Sequence, residues 1–247
     1  MKIENKDFWE KEHIIETQEV LKKASDFETY LLNQAQERFS KFGKIKNIKV
    51  FGCGTGREVE SIAEVYQPDF ILASDISENM IAKCNENLQL WGLSGITKTA
   101  VANAVAFTEP KNTFEVVTIF NSMLTYVPNR NDRMAIFNNS LHLLKDNGLL
   151  IGTVHNQVGA PLKTLYFQIR SLFSFVLGPR VGNRNTGFNG FSVPGYYYAK
   201  KQLLKDLTAS GFSAVEVLSL EEFYQQQGKS YDRKKGYNNL IFIATKL

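Results

Sequence analysis

Residues 50–56 read Val-Phe-Gly-Cys-Gly-Thr-Gly and end a short apolar stretch that begins at Ile48. The apolar stretch predicts a strand, and residues Arg57 to Tyr66 predict the helix that follows it. Glycines at such a junction let the backbone approach a bound molecule closely, because no Cβ intervenes. The helix start offers unpaired N–H groups to a carboxylate or another anion. This stretch therefore predicts a ligand-binding loop in an α/β fold.

Asp75 follows the loop at a distance typical of nucleoside sites. It stands nineteen residues after Gly56, at the end of a second apolar strand that begins at Phe70. A carboxylate there can accept hydrogen bonds from both hydroxyls of a ribose. An alternative role for Asp75 is to cap the helix that begins at Ser77. Loop and carboxylate together predict an adenosine site at the carboxyl ends of parallel strands.

The spacing of the glycines distinguishes between adenosine cofactors. A dinucleotide site has the pattern G-x-G-x-x-G, whereas the third glycine here, Gly56, comes one place early. Arg57 stands where a dinucleotide site has its third glycine, and its large side chain poorly suits the close helix–strand contact at that position. A P-loop is excluded, since no G-K-[ST] follows. The spacing therefore disfavours a nicotinamide dinucleotide.

Helices and strands alternate along most of the chain. The predicted strands are Ile48–Phe51, Phe70–Ala73, Thr99–Ala102, Phe114–Phe120, Leu149–His155, Ala214–Leu220 and Leu240–Thr245. This alternation predicts a Rossmann-like, doubly wound α/β fold, with a mostly parallel seven-stranded sheet and helices on both faces. The last two strands are expected to add an antiparallel pair at one edge, and residues 156–195 a small cap.

The composition predicts a globular, reduced protein. Of 247 residues, 43% are hydrophobic and 22% are charged, which is enough to bury a core. Cys53 and Cys84 are too few for a disulfide scaffold or a zinc cluster, and no metal site is expected. No signal peptide or membrane span is recognisable, so a cytoplasmic protein is expected. The net charge of +4 weakly favours an anionic partner.

Four motifs occur in a fixed order along the chain. G-C-G-T-G at 52–56 precedes S-D-I-S-E-N-M at 74–80, F-E-V-V at 114–117 and L-L-K-D-N-G-L-L-I at 143–151. In this order and spacing they resemble the class I S-adenosylmethionine (SAM)-dependent methyltransferase family. The resemblance is strong over residues 45–155. Over residues 196–247 it is limited to the order of the predicted helices and strands. It implies SAM as the cofactor and methyl transfer as the reaction.

The resemblance also implies a role for each motif residue. The implied cofactor contacts are Gly52, Cys53, Gly54 and Gly56 around the methionine moiety, Asp75 on the ribose, Ile76 and Met80 against the adenine, Asn103 and Ala104 at the adenine amino group, and Asn121 and Ser122 beside the sulfonium. The family usually has an acid where this chain has Val50. Contacts to the cofactor's ammonium are therefore expected from Asn121, a backbone carbonyl or the N-terminal helix.

His155 is the candidate general base. Methyl transfer needs an aligned acceptor, and a hydroxyl acceptor also benefits from a base. Of the three histidines, His155 is the one that ends a strand at the carboxyl edge, and Asn156 beside it is expected to position the acceptor. Alternatively, His155 is a structural residue at a strand end, with its hydrogen bonds made within the protein.

Two segments are expected to enclose the substrate, both by analogy with the family. Residues 1–43 would form a helical lid, with a helix predicted from Phe8 to Phe42. Residues 156–195 would form a substrate cap within a single domain, 1–247, with a loop rich in Gly, Asn and Arg predicted over 178–195. The apolar part of the cap is expected to cover the pocket, bind a hydrophobic acceptor, pack a dimer or form a plain core helix. In the glycine-rich loop after it, Arg180 and Arg184 could bind phosphate or carboxylate, and Tyr197 could stack on a ring.

Several functions stay open at this point. The first is methylation of a small molecule, most simply a hydroxyl of a sugar, a phosphorylated sugar or a secondary metabolite, with an amine nitrogen as the alternative. A non-catalytic SAM-binding regulator is the second, favoured by the missing acid at Val50. A nucleic-acid methyltransferase is disfavoured, because residues 121–124 read Asn-Ser-Met-Leu rather than an N-P-P-Y-type tetrad. A monomer or a homodimer is expected.

Overall fold

The computed structural model describes residues 5–19, 23–188, 191–234 and 238–247. Its strands are β1 (Asn47–Phe51), β2 (Phe70–Asp75), β3 (Thr97–Val101), β4 (Phe114–Ile119), β5 (Leu144–His155), β6 (Asn183–Phe188), β7 (Phe191–Tyr196), β8 (Ser213–Ser219) and β9 (Asn239–Thr245). Seven of them form one sheet in the order β3-β2-β1-β4-β5-β9-β8. Strands β1 to β5 are parallel, and β9 runs antiparallel between β5 and β8. The predicted seven-stranded, mostly parallel sheet with an antiparallel pair at one edge is confirmed.

Helices cover both faces of this sheet. They are α1 (Asn5–Trp9), α2 (Glu12–Glu19), α3 (Asp26–Phe39), α4 (Arg57–Tyr66), α5 (Glu78–Leu90), α6 (Arg130–Leu143), α7 (Pro161–Leu172), α8 (Ser174–Leu177), α9 (Lys200–Ala209) and α10 (Leu220–Gln226). One core joins α3, α4, α5 and α10 to the sheet, and a second core joins α6 and α9 to the opposite face. Successive side chains of β1 point to opposite faces of the sheet, so that Ile48 and Val50 pack in the first core and Phe51 packs in the second. Within the described ranges, no helix has the length and apolarity that crossing a bilayer requires.

The N-terminal region differs from the single helix predicted over Phe8–Phe42. It contains three helices, and residues 20–22 of the predicted helix lie outside the described residues. A capping box begins α3, because the Ser25 side chain accepts the Glu28 N–H while the Glu28 carboxylate accepts the Ser25 N–H. This reciprocal cap starts a new helix at Asp26 rather than continuing the preceding one.

The cap also differs from the predicted loop over 178–195. Strands β6 and β7 form an antiparallel hairpin in which Phe188 is opposite Phe191. Residues 189–190 lie outside the described residues, but their sequence is Asn-Gly, a dipeptide typical of two-residue hairpin loops. The sequence interpretation overlooked that signal. On β7, Val193 is buried in a small cluster with Phe8 and Met80, so the hairpin packs against α1 and the start of α5.

Candidate functional site

A cavity of about 330 Å³ lies at the carboxyl ends of β1, β2, β3 and β4. Small-molecule sites typically have volumes of roughly 300–1,000 Å³. The sheet order reverses between β1 and β4, which is where doubly wound folds bind their ligands. The lining residues are Lys6, Trp9, Gln18, Gly52, Gly54, Asp75, Ile76, Met80, Ala102, Asn103, Ala104, Val105, Phe120, Asn121, Met123, Tyr126, Val127, Pro128, Asp132 and Ile136. The cavity therefore combines the predicted loop and acid with side chains from α1 and α2.

Asp75 connects the glycine loop to the start of α5. Its Oδ2 accepts the Gly54 N–H at 2.9 Å, and its Oδ1 accepts the Ser77 N–H at 3.0 Å. Burial raises the pKa of this carboxyl, although the backbone hydrogen bonds act in the opposite direction. Each carboxylate oxygen has a second lone pair. The geometry thus fits the capping role and leaves acceptor capacity for ribose hydroxyls.

The glycine loop is open because its backbone adopts conformations that side chains avoid. Gly52 has φ of 69° and Gly56 has φ of 94°. A Cβ added at Gly52 would lie 2.6 Å from Cγ of Met123, whereas one at Gly56 would lie 2.9 Å from Sγ of Cys84. Gly52 therefore keeps the cavity open, and Gly56 lets α4 approach α5.

The substitution Gly52→Ala is expected to weaken SAM binding at least about tenfold. Alanine is strained at this positive φ, and its Cβ would clash with Met123, which lines the cavity. Titration calorimetry measures the change, with Gly92→Ala as the control. Gly92 also has a positive φ, of 71°, but a Cβ there meets nothing within 4 Å. Equal SAM affinities for the two variants would contradict this role of Gly52.

Eight of the eleven predicted cofactor residues line the cavity, while Cys53, Gly56 and Ser122 do not. The Cys53 thiol is buried in the core, and its contact with Cys84 together with burial raises its pKa well above the usual range. Such a thiol is unreactive, which fits a packing role. Ser122 is also buried, and its N–H donates to Oγ1 of Thr153 at 2.9 Å. These three residues therefore support the cavity wall without lining the cavity.

The chain turns sharply after β4 through two residues of unusual conformation. Asn121 has φ of 51° and Ser122 has φ of 55°, both in the left-handed region. Such residues cost of order 1–3 kcal/mol each and tend to cluster at functional sites. The side-chain amide of Asn121 donates to Oε1 of Gln18 at 2.9 Å. The turn therefore places Asn121 beside α2 at the cavity wall.

A buried ion pair joins α3 to the start of α4. Arg57 donates two hydrogen bonds to the Glu28 carboxylate, at 2.9 and 3.1 Å, and the two side chains are 9% and 3% exposed. The Asn121 N–H donates to the same carboxylate at 3.0 Å. Arg57 and the backbone hydrogen bonds lower the pKa of Glu28, which outweighs the opposing effect of burial. Glu28 was not identified from the sequence, although it anchors two loops of the site.

Glu58 adds a second carboxyl behind the loop. It is buried, and one of its oxygens has no hydrogen-bond partner among the residues that the structure describes. Burial raises the pKa of Glu58 to about 8, with Glu28 and Asp75 adding to the rise and Arg57 opposing it. The protein therefore holds a proton here that the unfolded chain releases near pH 4.5.

Stability is expected to decrease as the pH rises, because the unfolded chain ionises Glu58 first. This contribution is fully present below about pH 4.5 and is lost as the pH rises through about 8. The Glu58→Gln variant removes the titration, so its free energy of unfolding should rise by about 4 kcal/mol relative to that of the parent between about pH 5 and about pH 9. Denaturant unfolding at both pH values measures the gain. A constant difference between parent and variant across this range would disprove the assignment.

His155 lies beside the cavity rather than on its wall. Its ring centre lies 6.3 Å from that of Tyr126, which lines the cavity, and 5.2 Å from that of Tyr197. Burial, and secondarily the charge of Lys163, lowers the pKa of His155 to about 4. Its imidazole is therefore neutral at pH 7 but weakly basic. Its role as a general base stays a prediction.

The predicted substrate residues fall into separate places. Asn156 is buried and lines a second cavity, of about 290 Å³, on the far side of β5. Tyr197 is buried against His155 and donates to Oγ1 of Thr186 at 3.2 Å. Arg180 is exposed after α8, while Arg184 lies 5.7 Å from the centre of the Tyr197 ring. Of these four, Tyr197 and Arg184 are brought together, and their substrate roles remain predictions.

Comparisons with known proteins agree with the motifs and the fold. A family described as a methyltransferase domain matches residues 48–148. A protein of Geobacillus sp. (strain WCH70) that is named as a methyltransferase is 28% identical over 123 residues, which are 49% of this chain and 48% of that protein. The matched region therefore spans about half the length of that relative.

Solved structures share the fold over most of this chain. A SAM-dependent methyltransferase from Methanosarcina mazei has a TM-score of 0.62 at 21% identity, covering 83% of this chain and 93% of that one. A phosphoethanolamine N-methyltransferase from Haemonchus contortus, solved with phosphomonomethylethanolamine and S-adenosylhomocysteine, has a TM-score of 0.63 at 17% identity, covering 98% of this chain and 60% of that one. Residues 48–148 therefore match a methyltransferase domain, and the chain has the fold of solved SAM-dependent methyltransferases, which supports SAM as its cofactor.

Proposed function

We propose that this protein transfers the methyl group of SAM to a small-molecule acceptor that carries an anionic group. The observation that carries the transferase part is the cavity between the glycine loop, Asp75 and Asn121. The cofactor supplies an electrophilic methyl carbon on a sulfonium. The protein's residues must align the acceptor with that carbon and exclude water.

The cavity residues fit each part of the cofactor. Asp75 has acceptor capacity for the ribose hydroxyls, and the Ile76 and Met80 side chains form an apolar wall for the adenine. Gly52 and Gly54 leave room for the methionine moiety. The oxygens of Gln18 and Asn121 take over the contacts to the ammonium that an acid at position 50 makes elsewhere in the family. We assign α1 and α2, which supply Lys6, Trp9 and Gln18, to the lid.

A pair of cations supports the anionic acceptor. The Lys163 ammonium and the Arg184 guanidinium each lie 5.7 Å from the centre of the Tyr197 ring. Burial and the charge of Arg184 lower the pKa of Lys163 to about 8. Within the described part of the chain, neither cation forms an ion pair with a carboxylate. Two half-buried like charges that share one ring are arranged to bind a phosphate or a carboxylate.

The chemistry of His155 restricts the acceptor atom. A base whose conjugate acid has a pKa of about 4 removes a proton from an ordinary alcohol only weakly. A nucleophile that needs little help, such as a phenol, a carboxylate or a neutral nitrogen, suits this site better than a sugar hydroxyl. His155 and Tyr126 then position the acceptor between the cation pair and the cavity.

The test combines cofactor binding with transfer of a labelled methyl group. Calorimetry is expected to detect SAM and S-adenosylhomocysteine but not NAD. Metabolite extracts separated by charge and incubated with labelled SAM should yield product in the anionic fraction. The double variant Lys163→Met/Arg184→Met is expected to raise KM for that acceptor at least about tenfold with unchanged SAM affinity. The control is Lys201→Met, which removes an exposed cation of α9.

The outcomes separate the two parts of the proposal. Failure to bind SAM would disprove the transferase assignment as a whole. Labelled product confined to the neutral or cationic fraction would disprove the anionic acceptor alone. Tight SAM binding without turnover in any fraction would favour a regulatory SAM-binding protein.

A further inference from the structure

Helices α7 and α8 carry their apolar side chains toward solvent. The exposed fractions are 83% for Leu162, 51% for Leu165, 39% for Tyr166, 49% for Ile169, 73% for Leu172, 52% for Phe173, 82% for Phe175 and 62% for Val176. On α7 these positions recur at intervals of three and four residues, which places them on one helix face. We call these eight side chains the apolar face.

The opposite side of α7 faces the protein and is largely polar. Phe167 is buried there, with its ring 5.4 Å from that of Tyr197, and Lys163 is half-buried beside the same ring. Arg170 donates to the carbonyls of Val181 and Arg180 at 2.9 and 2.5 Å. A surface helix ordinarily turns its apolar stripe inward. The reversed arrangement of α7 indicates that something apolar covers its outer face.

The charges around the apolar face are of one sign. From residue 147 to residue 205 the sequence contains seven lysines and arginines and no aspartate or glutamate. Of these cations, Arg180 is exposed just after α8, whereas Lys163, Arg170 and Arg184 are half-buried behind the apolar face, and no carboxylate pairs with any of the four among the described residues. A partner must therefore be apolar at the centre of the contact and negative around it.

From these observations we infer that α7 and α8 dock on an anionic lipid surface. Interfacial helices place Phe and Leu side chains at the boundary between headgroups and acyl chains, while Lys and Arg contact anionic headgroups. A second copy of this chain fits less well, because two cationic rims would face each other. The acceptor of the proposed reaction does not fit, since the apolar face points away from the cavity side of α7. With the protein docked, only helix α7 would separate the Lys163–Arg184 pair from the lipid.

Vesicle flotation tests this inference with the full chain. The protein is expected to float with vesicles that contain phosphatidylglycerol, and much less with phosphatidylcholine alone. High salt should weaken the binding because it screens the cations. The double variant Leu172→Ser/Phe175→Ser is expected to lose at least about tenfold in partitioning, while its melting temperature and SAM affinity stay unchanged.

The matched control is Leu90→Ser, at the end of α5. Leu90 is 81% exposed, so its replacement removes an equally exposed apolar side chain away from the cap. It should float like the parent. Absence of flotation for the parent, or equal flotation of the double variant, would overturn the inference. So would a parent dimer in sedimentation velocity that the double variant converts to monomer without any vesicle binding, because a second copy would then cover the face.

Discussion

Replacing Glu28 with alanine is expected to lower the free energy of unfolding by about 3–5 kcal/mol, because the Arg57 guanidinium stays buried without its partner. For a chain of this size the loss corresponds to about 6–20 °C in melting temperature. Affinity for SAM should fall as well, since Glu28 also accepts the N–H of Asn121 at the cavity wall. Thermal unfolding followed by circular dichroism and calorimetry with SAM measure the two effects.

Two further variants separate the buried pair from ion pairs in general. Glu64→Gln removes the exposed pair with Lys23 and is expected to leave the melting temperature unchanged. The double replacement Glu28→Leu/Arg57→Met removes both buried charges and should recover a large part of the lost stability. A Glu28→Ala protein that melts with the parent would show that Arg57 finds water or another acceptor.

Replacing Asp75 with alanine is expected to weaken SAM binding by about 100- to 10,000-fold. Two hydrogen bonds from the ribose hydroxyls to a charged acceptor are lost, at about 1.5–3 kcal/mol each. The loop is also released, because Gly54 and Ser77 lose their common acceptor. Calorimetry with SAM and S-adenosylhomocysteine gives the dissociation constants.

Asp69→Asn is the matched control for Asp75→Ala. Asp69 lies just before β2 and pairs on the surface with Lys46, so SAM affinity should not change. Asp75→Asn retains one acceptor oxygen and is expected to fall between the parent and the alanine variant. Wild-type SAM affinity in Asp75→Ala would mean that this carboxylate only caps the loop and α5.

The central part of the site was predictable because its signals are local. The spacing of Gly52 and Gly54, the apolar strands on both sides, and Asp75 at a strand end follow from the order of residues along one βαβ unit. Parallel pairing of β1 with β2 then brings loop and acid together whatever the rest of the chain does.

Other parts of the site depend on contacts that no local pattern encodes. Glu28 meets Arg57 and Asn121 across 29 and 93 positions, and the sequence marks it only as the partner of Ser25 in a capping box. His155 was correctly placed at the end of β5, but the Tyr126 and Tyr197 rings that enclose it come from distant elements. The hairpin of the cap, by contrast, could have been predicted from the sequence, because residues 189–190 are Asn-Gly, which is typical of hairpin loops.

The contacts of Glu28 couple the N-terminal region to two loops beside the cavity. One carboxylate holds the first turn of α3, the beginning of α4 and the turn after β4 at the same time. A ligand that orders the two loops must therefore also order α3, and the linkage is reciprocal by thermodynamic necessity. Saturation with SAM should slow proteolysis and amide exchange in α3, so that the N-terminal segment reports on the occupancy of a pocket it only partly lines.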